Sequence, residues 1–296
     1  MRKAFVLNRL VCLSIVSTIF LIAAPTLWAQ SAAIQPCEQA PAPKPGTTTT
    51  PVKVAAKASQ TVIDSSIPED PELLKLLAPY SEKVRELSIV IGTLDEKLTK
   101  TNVGAGSIGH LVTDAMLAAA RSKSTKLVAV AITNAGGLRK NDISAGQLRA
   151  SDIFELLPFE NALITLDLTG EQLKKITQAG TRDAQAGLQV EYRWNDQNRT
   201  EVLSVKLLDD KGAAHEIDPK AIYTIVTIDY LYNLKSGAYA VFQDAKNMVP
   251  LNLTMRDAVT NYIKAETSAG RHIKSTLDKR FVQIGPGPTK EEAPPQ

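Results

Sequence analysis

The stretch NAGGLR at residues 134–139 holds the side chains best suited to recognising a small ligand. The Asn134 amide offers a donor and an acceptor together, the pairing that matches the edge of a heterocyclic base, and the Arg139 guanidinium can fork onto an anion or sugar oxygens. Gly136 and Gly137 permit positive φ and let a ligand approach the backbone. The same hexapeptide also fits a tight strand-to-helix turn with a solvated arginine. Two aromatic residues stand at further corners, Phe159 after Pro158 and Tyr230 after the run YTIVTID. Rings at two loop mouths can sandwich a flat heterocycle; ordinary core packing is the alternative. Three histidines and two cysteines in the whole chain leave little material for a metal centre rich in imidazole or thiolate. His110, His215 and His272 are scattered, and His110 reads as a partly buried surface residue on a helix. Asp114 is expected to face the interior and anchor backbone amides.

These residues must be positioned by the elements around them. Residues 70–87 open on Asp-Pro and carry Leu73, Leu74, Leu77, Tyr80, Val84 and Leu87 at helical spacing, which predicts an amphipathic helix. Residues 88–92 form a strand candidate. From Ser107 a second helix follows, with Ile108, Leu111, Val112, Ala115, Met116 and Ala119 on one face. The run KLVAVAIT at 126–133 reads as a strand buried on both faces, ending in the loop 134–147. A short helix at 151–157, an alternating strand at 162–168 and a helix from 169 to 178 come next. Strands near 188–194, 201–208 and 222–228 and a last helix at 254–267 complete the pattern. Helices and strands interleave and hairpins also occur, so the fold class is mixed α/β with a mixed sheet. Tyr230 is placed by this pattern in a loop after its strand.

The chain has 296 residues, with 34 Lys and Arg against 31 Asp and Glu. Arg2, Lys3 and Arg9 account for the +3 excess, and the first 29 residues hold no acid. The remainder is neutral, which argues against a nucleic-acid partner. Basic residues leading into the apolar run 10–24, then Pro25 and Ala29, read as a secretory signal over 1–29. The uncharged stretch 10–29 is also long enough to span a bilayer if left in place. Export to a periplasmic or extracellular location is therefore expected, with membrane contact only if the signal is retained. Cleavage would leave Cys37 alone, with no partner for an internal disulfide. Residues 30–66 are rich in Pro, Ala, Thr and Lys and read as a disordered linker, as does the tail 285–296. One domain of ordinary size is expected over 67–284.

The segment NAGGLRKNDISAGQLRASDIFELLPFENALITLDLTGEQLKKI, residues 134–176, resembles the C-terminal domain of the 5′-nucleotidase/UDP-sugar hydrolase family. That family shows an N-x-G-G-x-R loop, a short helix, L-P-F-x-N and L-T-G-x-Q-L in the same order. Gly109, Leu111, Asp114 and Ala115 fit its G-N-L-x-x-D-A helix, GLQV at 187–190 a following strand, and residues 227–231 its T-N-D-F-L segment. The resemblance spans about 67–284. It implies a nucleotide-binding domain that works beside a metallophosphoesterase domain, with Phe159 and Tyr230 as rings around the base and Asn134 and Arg139 touching base, ribose or phosphate.

Departures from the pattern shape the functional expectation. No D-x-H, G-N-H-[DE] or G-H-x-H motif of the metal-binding domain occurs in the sequence. Gly104 and Ala105 stand where the family carries Arg and Glu, His110 replaces an Asn, and Lys235-Ser-Gly-Ala-Tyr239 lacks the Asp that meets sugar hydroxyls. The resemblance therefore implies a hydrolase-family member in nucleotide catabolism that is inactive alone. It would need no cofactor in this chain; a divalent metal is expected only in a metallophosphoesterase partner acting in trans. A stand-alone nucleoside-binding module and a non-catalytic scaffold domain are the alternatives.

Overall fold

In the computed structural model, which describes residues 60, 62, 64–274 and 277–288, three helices start on side-chain caps written in the sequence. Asp70 accepts from the amides of Glu72 and Leu73 at the start of α1 (Pro71–Leu87), where proline takes the first position. Thr169 and Gln172 form a reciprocal capping box at α4, and Thr254 accepts from the Asp257 amide at α6. In chain order α1 is followed by β1 (Val90–Leu94), β2 (Leu98–Thr99), α2 (Gly106–Lys123), β3 (Val128–Thr133), β4 (Asp142–Ile143), β5 (Gly146–Arg149) and α3 (Ala150–Leu156). Then come β6 (Ala162–Thr169), α4 (Gly170–Gln178), β7 (Ala184–Ala186), β8 (Leu188–Trp194), β9 (Thr200–Leu208) and β10 (Ala214–Glu216). The chain continues through β11 (Ile222–Ile228), α5 (Asp229–Leu234), β12 (Lys246–Thr254), α6 (Met255–Ser268) and β13 (Phe281–Gln283).

The principal sheet has the order β12-β6-β11-β3-β7, with β11 and β3 parallel and the other pairs antiparallel. A second sheet runs β10-β9-β8-β13, and β1–β5 and β2–β4 form two small antiparallel pairs. The mixed α/β class is the one expected. α2 packs on β3, β7 and α6, and its apolar stripe of Ile108, Leu111, Val112, Ala115 and Met116 is buried as its spacing demands. β3 lies between two neighbours and is buried along nearly its whole length, matching its continuous apolar run.

β6 forms where an alternating strand is expected over 162–168. Its sequence alternates, yet every residue from Leu163 to Leu168 is buried. The strand sits inside the sheet, and its polar positions are satisfied there. Asp167 accepts from Lys126 Nζ (2.6 Å), Thr224 Oγ1 (2.6 Å) and Asn247 Nδ2 (2.7 Å). Burial pushes this carboxyl up, but the hydrogen bonds and the lysine charge outweigh it, so its pKa lies below the ordinary aspartate value.

α1 forms as its spacing predicts but buries no residue at all. Leu73, Leu76, Leu77, Tyr80 and Val84 are each more than half exposed. Leu77→Gln is therefore expected to change domain stability by no more than about 0.5 kcal/mol. A thermal melt checks this, and a shift of many degrees would mean that the face is covered in solution.

The described residues from Ser65 onward form one compact unit. The expected leader over 1–29, nearly all of the linker over 30–66 and most of the tail over 285–296 lie outside the described residues. Among the described residues no helix is long and apolar enough to cross a membrane.

Candidate functional site

Strand register brings three separated segments to one edge of the principal sheet. β11 runs parallel to β3 with Val226 opposite Ala131, so both strands end at the same edge. β6 runs the other way and pairs Leu163 with Ile228, so its beginning meets the end of β11. The residues after β3, before β6 and after β11 are thus neighbours. Ligands of α/β domains gather at such strand ends.

After β3 the chain makes a single 3-10 turn, Ala135–Gly137, closed by the Gly137 and Leu138 amides donating to the carbonyls of Asn134 and Ala135. Leu138 is fully buried, and the Arg139 amide donates to the Leu156 carbonyl at the end of α3, which pins the loop. Neither Gly136 nor Gly137 has positive φ. Conformational freedom is therefore not why they are glycines. The Asn134 side chain lies against them: a Cβ on Gly137 would stand 3.2 Å from Asn134 Oδ1, and one on Gly136 3.4 Å from its Nδ2. Asn134 Oδ1 is buried and has no hydrogen-bond partner. An unpaired buried acceptor beside a cavity is the kind of group a ligand donor satisfies.

Phe159 follows α3 in the turn leading to β6 and is 48% exposed. Tyr230 is 50% exposed. It lies not in a loop, as the sequence pattern suggested, but in the first turn of the short α5. Asp229 starts that helix and ties it down, since its Oδ1 accepts from the Ala162 amide (3.1 Å) and the Tyr230 amide (2.8 Å). One carboxylate thus joins the segment of one ring to the segment of the other.

Asn134, Gly136, Gly137, Arg139, Phe159 and Tyr230 line a single cavity of about 430 Å³, together with Asn161. That volume suits a small ligand. All six residues singled out in the sequence are brought together. Asn161 and Asp229 were not singled out, although the motif L-P-F-x-N ends on the first and the segment 227–231 contains the second. Arg139 donates to the Gly136 carbonyl (3.2 Å) and is otherwise turned to solvent. Beneath the loop, Tyr239 donates its hydroxyl to Asp183, whose other oxygen accepts from the Ala135 amide (3.4 Å). Burial raises the Asp183 pKa, with the Tyr239 and Ala135 hydrogen bonds and nearby Arg182 opposing it. Burial and the adjoining carboxylate push Tyr239 up as well.

The departures noted in the sequence have structural counterparts. Gly104 has φ of 59° and faces the Phe281 ring, which would stand 2.2 Å from an added Cβ. His110 is not a surface residue: it is 5% exposed and stacks on Phe281 at 6.4 Å between ring centroids. Asp114 forms an ion pair with Arg280 at 3.0 Å, a side-chain partner in place of the backbone amides expected for it. His215 meets Asp209 (2.8 Å) and His272 meets Asp95 (2.7 Å). Among the described residues no three His, Cys, Asp or Glu side chains are grouped to hold a metal ion. A larger cavity of about 580 Å³ lies around His110, Asp114 and Tyr262. On its wall Glu266 pairs with Arg271 and Asp95 with His272, Asp114 pairs with Arg280 behind it, and Lys274 lines it as well.

A family model described as 5′-nucleotidase, C-terminal domain, matches residues 90–244. The trifunctional nucleotide phosphoesterase protein YfkN of Bacillus subtilis is 24% identical over 236 residues, covering 75% of this chain and 16% of that protein. A probable 5′-nucleotidase of Treponema pallidum is 30% identical over 145 residues, 45% of this chain and 24% of that protein. Among solved structures, a 5′-nucleotidase precursor from Thermus thermophilus aligns with a TM-score of 0.58 at 22% identity, covering 74% of this chain and 44% of that one. The NAD nucleotidase of Haemophilus influenzae aligns at 0.55 and 20% identity, covering 73% and 42%. At such identity the structural likeness is one of fold. The chain spans less than half the length of each of these proteins.

Proposed function

The chain belongs to the 5′-nucleotidase C-terminal domain family, and from that premise we propose that the mouth between Phe159 and Tyr230 recognises a nucleoside or nucleotide for hydrolysis. The convergence of Asn134, Gly136, Gly137, Arg139, Phe159, Asn161 and Tyr230 on one cavity carries this reading. Two half-exposed rings offer π-faces to a base, and stacking on one ring is worth about 1–3 kcal/mol per base in nucleic-acid binders. Asn134 supplies the unpartnered acceptor at the floor of the mouth, and Arg139 supplies charge at its rim.

In this proposal the hydrolytic step belongs to a metallophosphoesterase unit on a separate chain, whose divalent metal activates water. This domain binds and orients the nucleotide. The proposal also places the protein outside the cytoplasm, in a periplasmic or extracellular role in nucleotide catabolism. The basic-then-apolar leader over residues 1–29 supports export.

Calorimetry of the chain with adenosine and with adenosine monophosphate tests the binding step. Phe159→Ala and Tyr230→Ala are each expected to weaken binding about tenfold or more, as the loss of one stacking contact implies. Both rings are half exposed, so the variants should melt like the wild type. No heat with either ligand at millimolar concentration would make the domain a non-catalytic scaffold.

A further inference from the structure

We propose that α1 pairs antiparallel with α1 of a second copy of this chain, through the apolar face that the domain leaves uncovered. By itself the helix is poorly supported. It is 17 residues long with Pro79 in its interior, and it buries no residue. A helix of that length is marginal in water unless an apolar face packs against something, and an interior proline removes one of its hydrogen bonds. The face is continuous along the helix. Leu73, Leu77, Tyr80, Val84 and Leu87 recur at alternating spacings of four and three residues, the pattern of a coiled-coil seam, with Leu74 and Leu76 widening it on either side. Leu73, Leu74, Leu76, Leu77, Tyr80 and Val84 are all exposed. A two-fold pairing that covers these six side chains on both copies removes on the order of 1,200 Å² from water, the lower edge of what stable interfaces bury.

The charges beside the stripe select the partner and its direction. Glu72 and, about three turns later, Lys83 lie on one flank, with Asp70 and Arg85 on the other. In both pairs the acid is nearer the N-terminus and the base nearer the C-terminus, and both pairs are centred between Leu77 and Ala78. An antiparallel two-fold pairing about that point sets Glu72 beside the partner's Lys83 and Asp70 beside the partner's Arg85, each contact occurring twice by symmetry. The helix dipoles are then opposed as well. A parallel pairing would set acid against acid and base against base. Other occupants fit less well. The back of the helix carries Lys75, Glu82 and Glu86, not the basic face of a helix that lies on a membrane. Residues 30–66, ahead of α1, contain no Leu, Met or aromatic residue to lay along the stripe.

Sedimentation equilibrium over a range of protein concentrations tests the pairing, with a reductant present to exclude crosslinks through Cys12 or Cys37. The wild type is expected to pass from monomer to dimer in the micromolar range, as suits an interface of this size. Leu77→Gln should raise the dimer dissociation constant about tenfold or more, since it removes an apolar side chain from the centre of both copies. Lys83→Glu should weaken the dimer about fivefold or more, because like charges then meet at both ends, and adding Glu72→Lys to it should restore most of the loss. In dilute protein Leu77→Gln should melt with the wild type, whereas at higher concentration only the wild-type melting temperature should rise. A monomer at every concentration up to millimolar would overturn the proposal and leave the face to a different chain. A dimer that Leu77→Gln does not weaken forms elsewhere on the chain and overturns it too. A double charge variant no stronger than Lys83→Glu alone would overturn the antiparallel arrangement. Binding of the monomer to vesicles of phosphatidylcholine and phosphatidylglycerol, lost in Leu77→Gln, would assign the face to a lipid surface instead.

Discussion

Gly187→Ala is expected to destabilise the domain by about 3–5 kcal/mol, the sum of a left-handed backbone penalty and an overpacked contact. Gly187 links β7 of the principal sheet to β8 of the second, with φ of 85°. A Cβ there would stand 2.1 Å from the Ala129 carbonyl oxygen and 3.1 Å from its carbon, near the start of β3. These are backbone atoms of a buried strand. They cannot turn aside as a flexible side chain can, so either β3 or the β7–β8 link must move. Gly187 also presents its own carbonyl to the Leu208 amide (2.9 Å), so displacement would disturb the pairing of β8 with β9. At roughly 2–4 °C per kcal/mol for a domain of this size, the melting temperature should fall by about 6 °C or more. Gly212→Ala is the control. It has φ of 77° and nothing within 4 Å of an added Cβ, so it carries the backbone penalty alone. Equal losses in the two variants would show that the contact with Ala129 costs nothing.

Arg280→Ala should cost about 3 kcal/mol near neutral pH, toward the low end for breaking a buried ion pair. Arg280 bonds Asp114 on α2 (3.0 Å) and Asp278 ahead of β13 (2.6 Å), and it donates to the Gln185 carbonyl on β7 (3.4 Å). Its own side chain is 7% exposed, while the two carboxylates keep 36% and 37% of theirs in water, which softens the penalty of losing the cation. The pH dependence distinguishes this from simple loss of packing. Burial raises both carboxyls. At Asp278 the hydrogen bonds and charge of Arg280 outweigh burial, and its pKa lies below the ordinary value. At Asp114 burial prevails and its pKa lies above.

In the wild type, Asp278 therefore adds stability above its unfolded pKa and loses it as pH falls through its lower folded pKa. Asp114 does the reverse: its contribution is present below its unfolded pKa and is lost as pH rises through its folded pKa. Without the Arg280 side chain, burial is opposed at Asp278 only by the backbone amide of residue 280 and by His110, so both carboxyls titrate higher than in the wild type and favour folding less once ionised. The gap between wild type and variant should then be widest near neutrality and narrow as pH falls through about 5 to 3. Urea denaturation at several pH values reads this directly. A gap independent of pH would mean that Arg280 acts through packing alone. Asp114→Asn in the Arg280→Ala background should restore part of the loss.

Local chemistry was legible in the chain. The helices of α1, α2, α4 and α6 follow from apolar spacing and from the caps at Asp70, Thr169 and Thr254, because capping and helical hydrogen bonds connect residues a few positions apart. β3 follows from its unbroken apolar run, and the loop after it from its glycines. The candidate ligand residues were legible too, Tyr230 from the segment 227–231 and the others from short motifs that stand in order between residues 134 and 176. Tertiary structure decided what those motifs face. Phe159 and Tyr230 share a cavity because β6 pairs antiparallel with β11, a register no local signal specifies. β6 alternates in sequence, yet Thr165 and Asp167 are buried, and Lys126, Thr224 and Asn247 arrive from elsewhere to satisfy the carboxylate. α1 has the same apolar spacing as a buried helix and remains uncovered, since periodicity shows that a helix has an apolar face but not what lies against it. Lys100 carried no motif, and its place along the loop of Arg139 depends on hydrogen bonds between segments distant in sequence, which form only when the chain is folded.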